Sequence, residues 1–318
     1  MASPIADLSY RSYDGPLLPP TMRWWVVAKS VMRLAIRKKG FWVWANLSYY
    51  WFIILAAVFY FVDVLAPTLP GGANPFFSRI VWKDQFLDAF SIAQMFLFII
   101  ALLIGAGAIA NDNRSNALLV YLSKPCSKLD YLFGKWMAIF LILVAITGVP
   151  TLLFFVYGLL SYRHYGFISQ DPALFWRLLV MIPVPAAFHA SACLGISSLF
   201  NQGRMAGATY AGIYFLSLFF TKAMVVIQII AMDGPRGDPS RVPSIVNTLF
   251  YASVDGLQIG LAKVILQTDG GHLLSGPGGP PVPPAPNGWL FTALYLLACG
   301  GFLAIAWQRV RAVEVVRG

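Results

Sequence analysis

The sequence predicts an all-α integral membrane protein with six transmembrane helices, an amphipathic helix before the first, and re-entrant or surface-lying helices before the last. Three observations predict it. Six long apolar stretches, at about 42–65, 86–110, 136–160, 175–200, 207–232 and 289–308, each reach the roughly 20 residues a helix needs to cross the hydrocarbon core. Only 11% of the residues are charged and 58% are hydrophobic, with a mean hydropathy of +0.70, whereas a soluble domain carries about 25% charged residues. Finally, backbone polar groups find no water inside lipid, so such runs must be helical, and the alternation of a membrane β-barrel does not occur in them.

The net charge of +10 raises the prospect of a nucleic-acid partner, but the basic residues do not collect on one soluble unit. They sit at helix ends. Fifteen Lys and Arg fall on the side that carries both termini, in 1–41, 111–135, 201–206 and 309–318, and seven fall on the other side. The positive-inside rule then places both termini in the cytoplasm, as an even number of spans requires, and excludes nucleic acid as the partner. Cys126, Cys193 and Cys299 have no disulfide or zinc spacing. The N-terminal residues lack the short apolar core and small-residue cleavage site of a signal peptide, so the first span is expected to stay in the membrane.

Taken in order, residues 1–21 hold Pro4, Gly15, Pro16, Pro19 and Pro20 and read as an extended arm. In 22–39, Trp24, Val27, Ala28, Val31 and Ala35 follow helical spacing while Lys29, Arg33 and Arg37 recur every fourth residue. That pattern fits an amphipathic helix lying among membrane lipids beside anionic headgroups, or a cytoplasmic extension of the first span. Gly40, a bend before Trp42, favours the former. The loop at 66–85 is rich in Pro and Gly and is expected to be irregular. Pro150 in the third span, and Pro183 and Pro185 in the fourth, are expected to kink their helices. The outer segment 233–288 contains an apolar stretch, 244–266, interrupted by Asp255 and Lys263, which fits a partly inserted or surface helix. The Gly- and Pro-rich tract 269–288 fits a mobile outer loop. Trp42, Trp44, Trp51 and Trp289 suit interfacial belts.

The most informative stretch joins the second and third spans. In 109–136, IANDNRSNALLVYLSKPCSKLDYLFGKW, Asp112 to Tyr121 can form a short helix, Lys124-Pro125 interrupts it, and Ser127 can cap a second helical turn beginning near Lys128. Such a pair of short helices is a rigid handle for a soluble partner; an ordinary charged loop satisfying the positive-inside rule is the plainer alternative. The stretch resembles the cytoplasmic loop of the type-2 ABC (ABC-2) permeases, approximately E-x-R-x-G-T-L-x-x-L-L-S-x-P-x-S-R-x-E-Y-x-x-G-K. Asp112, Arg114, Leu118, Leu122, Ser123, Pro125, Ser127, Tyr131, Gly134 and Lys135 match it. Asn116, Ala117, Lys128 and Asp130 depart from it, the last two keeping charge. The helix at 22–39 is similar to that family's elbow helix, Gly195 to Ala206 to its turn before the fifth span, and 244–266 to its re-entrant helices, so the resemblance extends over nearly the whole chain.

The resemblance implies a single ABC-2 type transmembrane domain, 1–318, in a bacterial-type inner membrane. It implies a permease subunit that dimerises with a second copy or a paralogue and binds a cytoplasmic ABC ATPase. The loop 111–134 is then the coupling element, with Asp112, Arg114, Leu118, Leu122, Pro125, Tyr131 and Lys135 contacting or supporting that partner. The sequence has no G-x-x-x-x-G-K-[ST] phosphate loop, since Gly134-Lys135 lacks the upstream glycine and the following hydroxyl. The chain is therefore expected not to be an enzyme and to carry no cofactor of its own, ATP and magnesium belonging to the partner ATPase. The glycine-centred signature of binding-protein-dependent importers is missing too, which points to export of a hydrophobic, lipid-like or drug-like substrate.

Lys222 in the fifth span and His189 in the fourth are ionisable residues at membrane depth, a position that marks candidate substrate paths. Snorkelling of Lys222 to the headgroups and simple packing of His189 are the structural alternatives. Two other functions remain open. One is a membrane scaffold or assembly component with the permease fold. The other is an intramembrane enzyme, against which stand the lack of paired carboxylates within a span and of an H-E-x-x-H motif.

Overall fold

The computed structural model describes residues 22–65, 74–115, 117, 127–232, 244–270 and 283–310. The N-terminal arm before Met22, the Pro/Gly-rich residues 66–73, most of the loop 116–126 and the Gly/Pro tract 271–282 lie outside the described residues, as do 233–243 and 311–318. Among the described residues there is no strand, and six helices are long and apolar enough to cross a membrane. They are Lys39–Leu65, Trp82–Arg114, Lys128–Ser161, Leu174–Ser197, Gly203–Ile230 and Gly288–Arg309, called spans 1 to 6.

The amphipathic helix α1 (Arg23–Ile36) buries Val27, Ala28 and Ala35 and exposes Lys29 and Arg33. It breaks at Arg37–Lys38 rather than at Gly40, which lies in the first turn of the next helix. The reason is local hydrogen bonding. The extended Lys38 sends its ammonium to the Leu103 carbonyl at 2.5 Å, and the Trp42 indole donates to the Ile36 carbonyl at 2.9 Å. An otherwise unpaired carbonyl at the end of α1 is thereby satisfied.

The described part of the loop before span 2, residues 74–81, is less irregular than the composition predicts. Asn74 caps the short helix α2 (Pro75–Ser78), and span 2 begins at Trp82. Packing explains this early start. Phe59, Phe77, Trp82, Tyr162 and Phe167 are all fully buried, with Phe77 and Trp82 stacked at 6.3 Å and Phe77 and Tyr162 at 4.7 Å. Such aromatic burial fixes residues 77–82 against span 1 and the end of span 3. A second core, around Phe98, Tyr131, Leu143, Phe188 and Tyr210, fills the other half of the bundle.

Span 4 is the central helix. Its apolar window is 78% buried, against 11% for span 5 and 17% for span 6. Gly195 lets span 6 lie close against it, since a Cβ there would lie 2.7 Å from the Phe302 carbonyl oxygen. Pro183 divides span 4 into Leu174–Met181 and Pro183–Ser197, whereas Pro150 lies inside the unbroken helix of span 3. Residues 244–266 form two helices, Ser244–Phe250 and Val254–Leu266, both shorter than the roughly 20 residues a crossing requires. The Ser253 side chain caps the second, accepting from the Gly256 amide at 2.9 Å.

Candidate functional site

The loop between spans 2 and 3 leaves the bundle from two anchored ends. On the outgoing side, the helix of span 2 ends at Gly105, the chain turns through 106–109, and a short helix resumes over Ala110–Arg114. Ser197, at the end of span 4, fixes this break. Its hydroxyl donates to the Ala106 carbonyl at 2.8 Å and accepts from the Ile109 and Ala110 amides at 3.0 Å each. A side chain from another span thus takes the part a capping residue plays at a helix N-terminus. The Asn113 amide adds a bond to the Phe200 carbonyl at 3.3 Å.

On the returning side, Ser127 and Asp130 form a reciprocal capping box. The Asp130 amide donates to the Ser127 hydroxyl and the Ser127 amide donates to the Asp130 carboxylate, both at 3.1 Å. The cap opens a helix that runs from Lys128 to Ser161 without interruption. The second short helix expected there is therefore the first turns of span 3 itself, because the strong cap starts it well outside the apolar stretch.

The two ends meet at Asp112. Its carboxylate accepts from the Lys135 ammonium at 2.5 Å and from the Tyr131 hydroxyl at 2.8 Å. Lys135 also donates to the Ala108 carbonyl and lies 4.8 Å from the centre of the Tyr131 ring. Tyr131 is fully buried and Lys135 is 4% exposed. A buried ammonium is tolerated because a carboxylate, a carbonyl and a ring face all meet it. Gly134 supplies the third side of this clamp. A Cβ there would lie 2.5 Å from the Trp24 carbonyl oxygen and 2.8 Å from Cβ of Val27, so only glycine admits the amphipathic helix at this distance. Trp24 closes the contact edge-on to Phe133, at 5.1 Å.

The sequence-predicted residues thus separate into groups. Asp112, Tyr131 and Lys135 come together. Arg114 lies at the exposed end of the short helix, next to the clamp but outside it. Leu118, Leu122 and Pro125 lie outside the described residues. Ser197 was not predicted as a site residue; it lies in the Gly195–Ala206 stretch, two residues before Leu199, and only its three bonds across the bundle reveal its part.

His189 and Lys222 are in different surroundings. His189 is wholly buried, its Nδ1 2.7 Å from the Tyr210 hydroxyl and its ring between Phe98 and Phe188. Lys222 is exposed on span 5, close enough to Asp255 for its charge to act on that carboxyl. Asp255 accepts from the Tyr214 hydroxyl at 2.7 Å. Burial raises its carboxyl to about 6, an effect the Tyr214 bond and the Lys222 charge only partly offset. Lys263, held to the Pro283 carbonyl at 2.6 Å, is lowered to about 8 by burial, against the pull of Asp269, Asp84 and Asp88.

Residues 24–255 match the family model described as ABC-2 family transporter protein. A search of curated proteins finds no match. The family match begins at the amphipathic helix, contains the whole clamp and reaches Asp255, well over half of the 318 residues. The chain belongs to the ABC-2 transporter family, as a multi-pass, non-catalytic membrane component of an ABC transporter.

Proposed function

We propose that the chain is the membrane subunit of an exporter for a hydrophobic, lipid-like or drug-like molecule, working as a dimer in a bacterial-type inner membrane with both termini in the cytoplasm. A separate ABC ATPase, which binds ATP and magnesium, drives it through the loop 111–134. The observation that carries this reading is the clamp of Asp112, Tyr131 and Lys135, which ties the two ends of that loop into one body with the amphipathic helix at Gly134.

The mechanism follows from that connection. A force applied to a loose loop dissipates in the loop. A force applied to this one passes through the clamp into spans 2 and 3, and through Ser197 into span 4. Closure of an ATPase pair around ATP then biases the bundle between two arrangements, provided the loop is held differently in each. Leu118, Leu122 and Pro125 are assigned to the contact with the ATPase, and Asp112, Tyr131 and Lys135 to its support. Arg114, on the exposed side, is assigned to the partner's surface. Lys222 and His189 are kept as candidate residues of the substrate path, Lys222 the more accessible of the two. The lightly buried face of span 5 is available to a second subunit.

The test is reconstitution with the ATPase that co-purifies from native membranes. ATP-dependent movement of a lipid or dye substrate out of the cytoplasm-facing compartment supports the exporter. A stable complex that hydrolyses ATP but moves nothing across a panel of such substrates supports a scaffold with the same fold.

A further inference from the structure

A groove of about 1190 Å³ opens between α1, the inner end of span 2 and the start of span 5. One part of its wall is apolar: Val31 and Leu34 from α1, and Ile99, Leu102 and Leu103 from span 2. Its basic groups are Lys38, Arg114 and Arg204. Among the described residues the only carboxylate on its lining is that of Asp112, and this one is already occupied by Lys135 and Tyr131. Among the described residues neither Arg114 nor Arg204 has an ion-pair partner. Lys38 spends one N–H on the Leu103 carbonyl and keeps two for a ligand.

We propose that this groove binds one anionic glycerophospholipid, its phosphate held between Lys38 and Arg204 and an acyl chain laid against Leu34, Ile99 and Leu102. Charge and shape both select this occupant. Three basic groups facing one neutralised acid leave a surplus of positive charge, which a zwitterionic lipid does not balance. The apolar wall is of no use to a free phosphate or a nucleotide. The volume exceeds the roughly 300–1,000 Å³ of most small-molecule pockets, which suits an acyl chain together with a headgroup. On the orientation proposed above, the site lies at the cytoplasmic leaflet, where anionic headgroups attract basic residues next to a membrane helix. Bound there, the lipid acts as a structural ligand whatever the cargo. Such a lipid would bridge α1 to spans 2 and 5, beside the clamp that anchors the loop.

Native mass spectrometry of the full-length chain in detergent, titrated with phosphatidylglycerol or phosphatidylcholine of the same acyl chains, tests it. The chain is expected to prefer phosphatidylglycerol. Lys38→Gln and Arg204→Gln are each expected to weaken that lipid about five-fold and the pair about 25-fold, with phosphatidylcholine binding unchanged. The Arg204 side chain makes no hydrogen bond to another described residue, so its variant reads the site rather than the fold, and Arg204→Lys is expected to restore most of the preference. Equal binding of the two lipids by the native chain overturns the proposal, as does a double variant that keeps the preference. Competition by glycerol phosphate as strong as that of the whole lipid overturns the apolar half. Phosphatidylglycerol binding confined to monomers, with dimers refusing it, overturns it in favour of a second copy covering the groove. The measurement uses the chain without its ATPase, so a negative result leaves the transport reading untouched.

Discussion

The ammonium of Lys135, in the second turn of span 3, lies 2.5 Å from the carboxylate of Asp112 at the far end of span 2. The pair closes the mouth of the intervening loop. Its lysine is buried and its aspartate only partly exposed, with side-chain exposures of 6% and 21%. Breaking a buried pair from one side costs about 3–5 kcal/mol, because the surviving charge is left without a partner; the partial exposure of Asp112 places this pair at the lower end of that range. Asp112→Ala is therefore expected to lower the unfolding free energy by about 3 kcal/mol. Asp112→Leu combined with Lys135→Met is expected to recover most of that stability, since it removes both charges. Thermal unfolding of the two variants in detergent checks this. If the clamp also transmits force, the double variant regains stability without regaining ATP-dependent transport.

Gly134 gives a second prediction. Its missing side chain is where the Trp24 carbonyl and Val27 approach span 3. Gly134→Ala forces these groups apart and is expected to cost about 1–3 kcal/mol, the usual penalty of overpacking a tight contact. Gly212, which has nothing within 4 Å of its Cβ position, provides the control: Gly212→Ala is expected to be neutral or stabilising by a few tenths of a kcal/mol, as alanine suits a helix interior better. Comparative melting of the two variants is the measurement.

The clamp was legible in the sequence to the extent that a spaced pattern can show it. Asp112, Tyr131, Gly134 and Lys135 stand at motif positions, but the spacing says nothing of which side chain meets which. The six spans were legible because hydrophobic length is a one-dimensional property. The break at Arg37–Lys38 was not, since it depends on Lys38 reaching a carbonyl 65 residues away. The same holds for Trp82, whose helix starts early because Phe77, Tyr162 and Phe167 surround it. Ser197 was illegible for the same reason, its partners being Ala106, Ile109 and Ala110 on another span.

Ser197→Ala removes the acceptor of two amides and the donor to one carbonyl. The loss is expected to cost about 1–2 kcal/mol, the range of a lost helix cap. Hydrogen exchange is expected to speed up first at Ile109 and Ala110. Exchange unchanged at those two amides would mean that the turn at 106–109 is held by the backbone alone.

Asp255 predicts a pH dependence with a definite sign. Its carboxyl is raised by burial to about 6, from about 3.9 in an unfolded chain. Between those values the folded protein holds the proton more tightly than the unfolded one, so stability rises as pH falls from 7 towards 4. Asp255→Asn, which keeps an acceptor for Tyr214, is expected to flatten that rise between pH 7 and 5. Lys263 acts oppositely and elsewhere: lowered to about 8, it favours the fold as pH rises through 8 and above. Melting temperatures taken at half-unit intervals from pH 4.5 to 9 separate the two.

Co-purification reads whether the loop 111–134 seats the ATPase. The native chain is purified from its own membranes with the associated ABC ATPase, beside a variant carrying Leu118→Asp and Leu122→Asp. The variant is expected to lose the ATPase while keeping a cooperative thermal transition in detergent, which shows that it is folded. Full retention of the ATPase by a folded variant would contradict that seat.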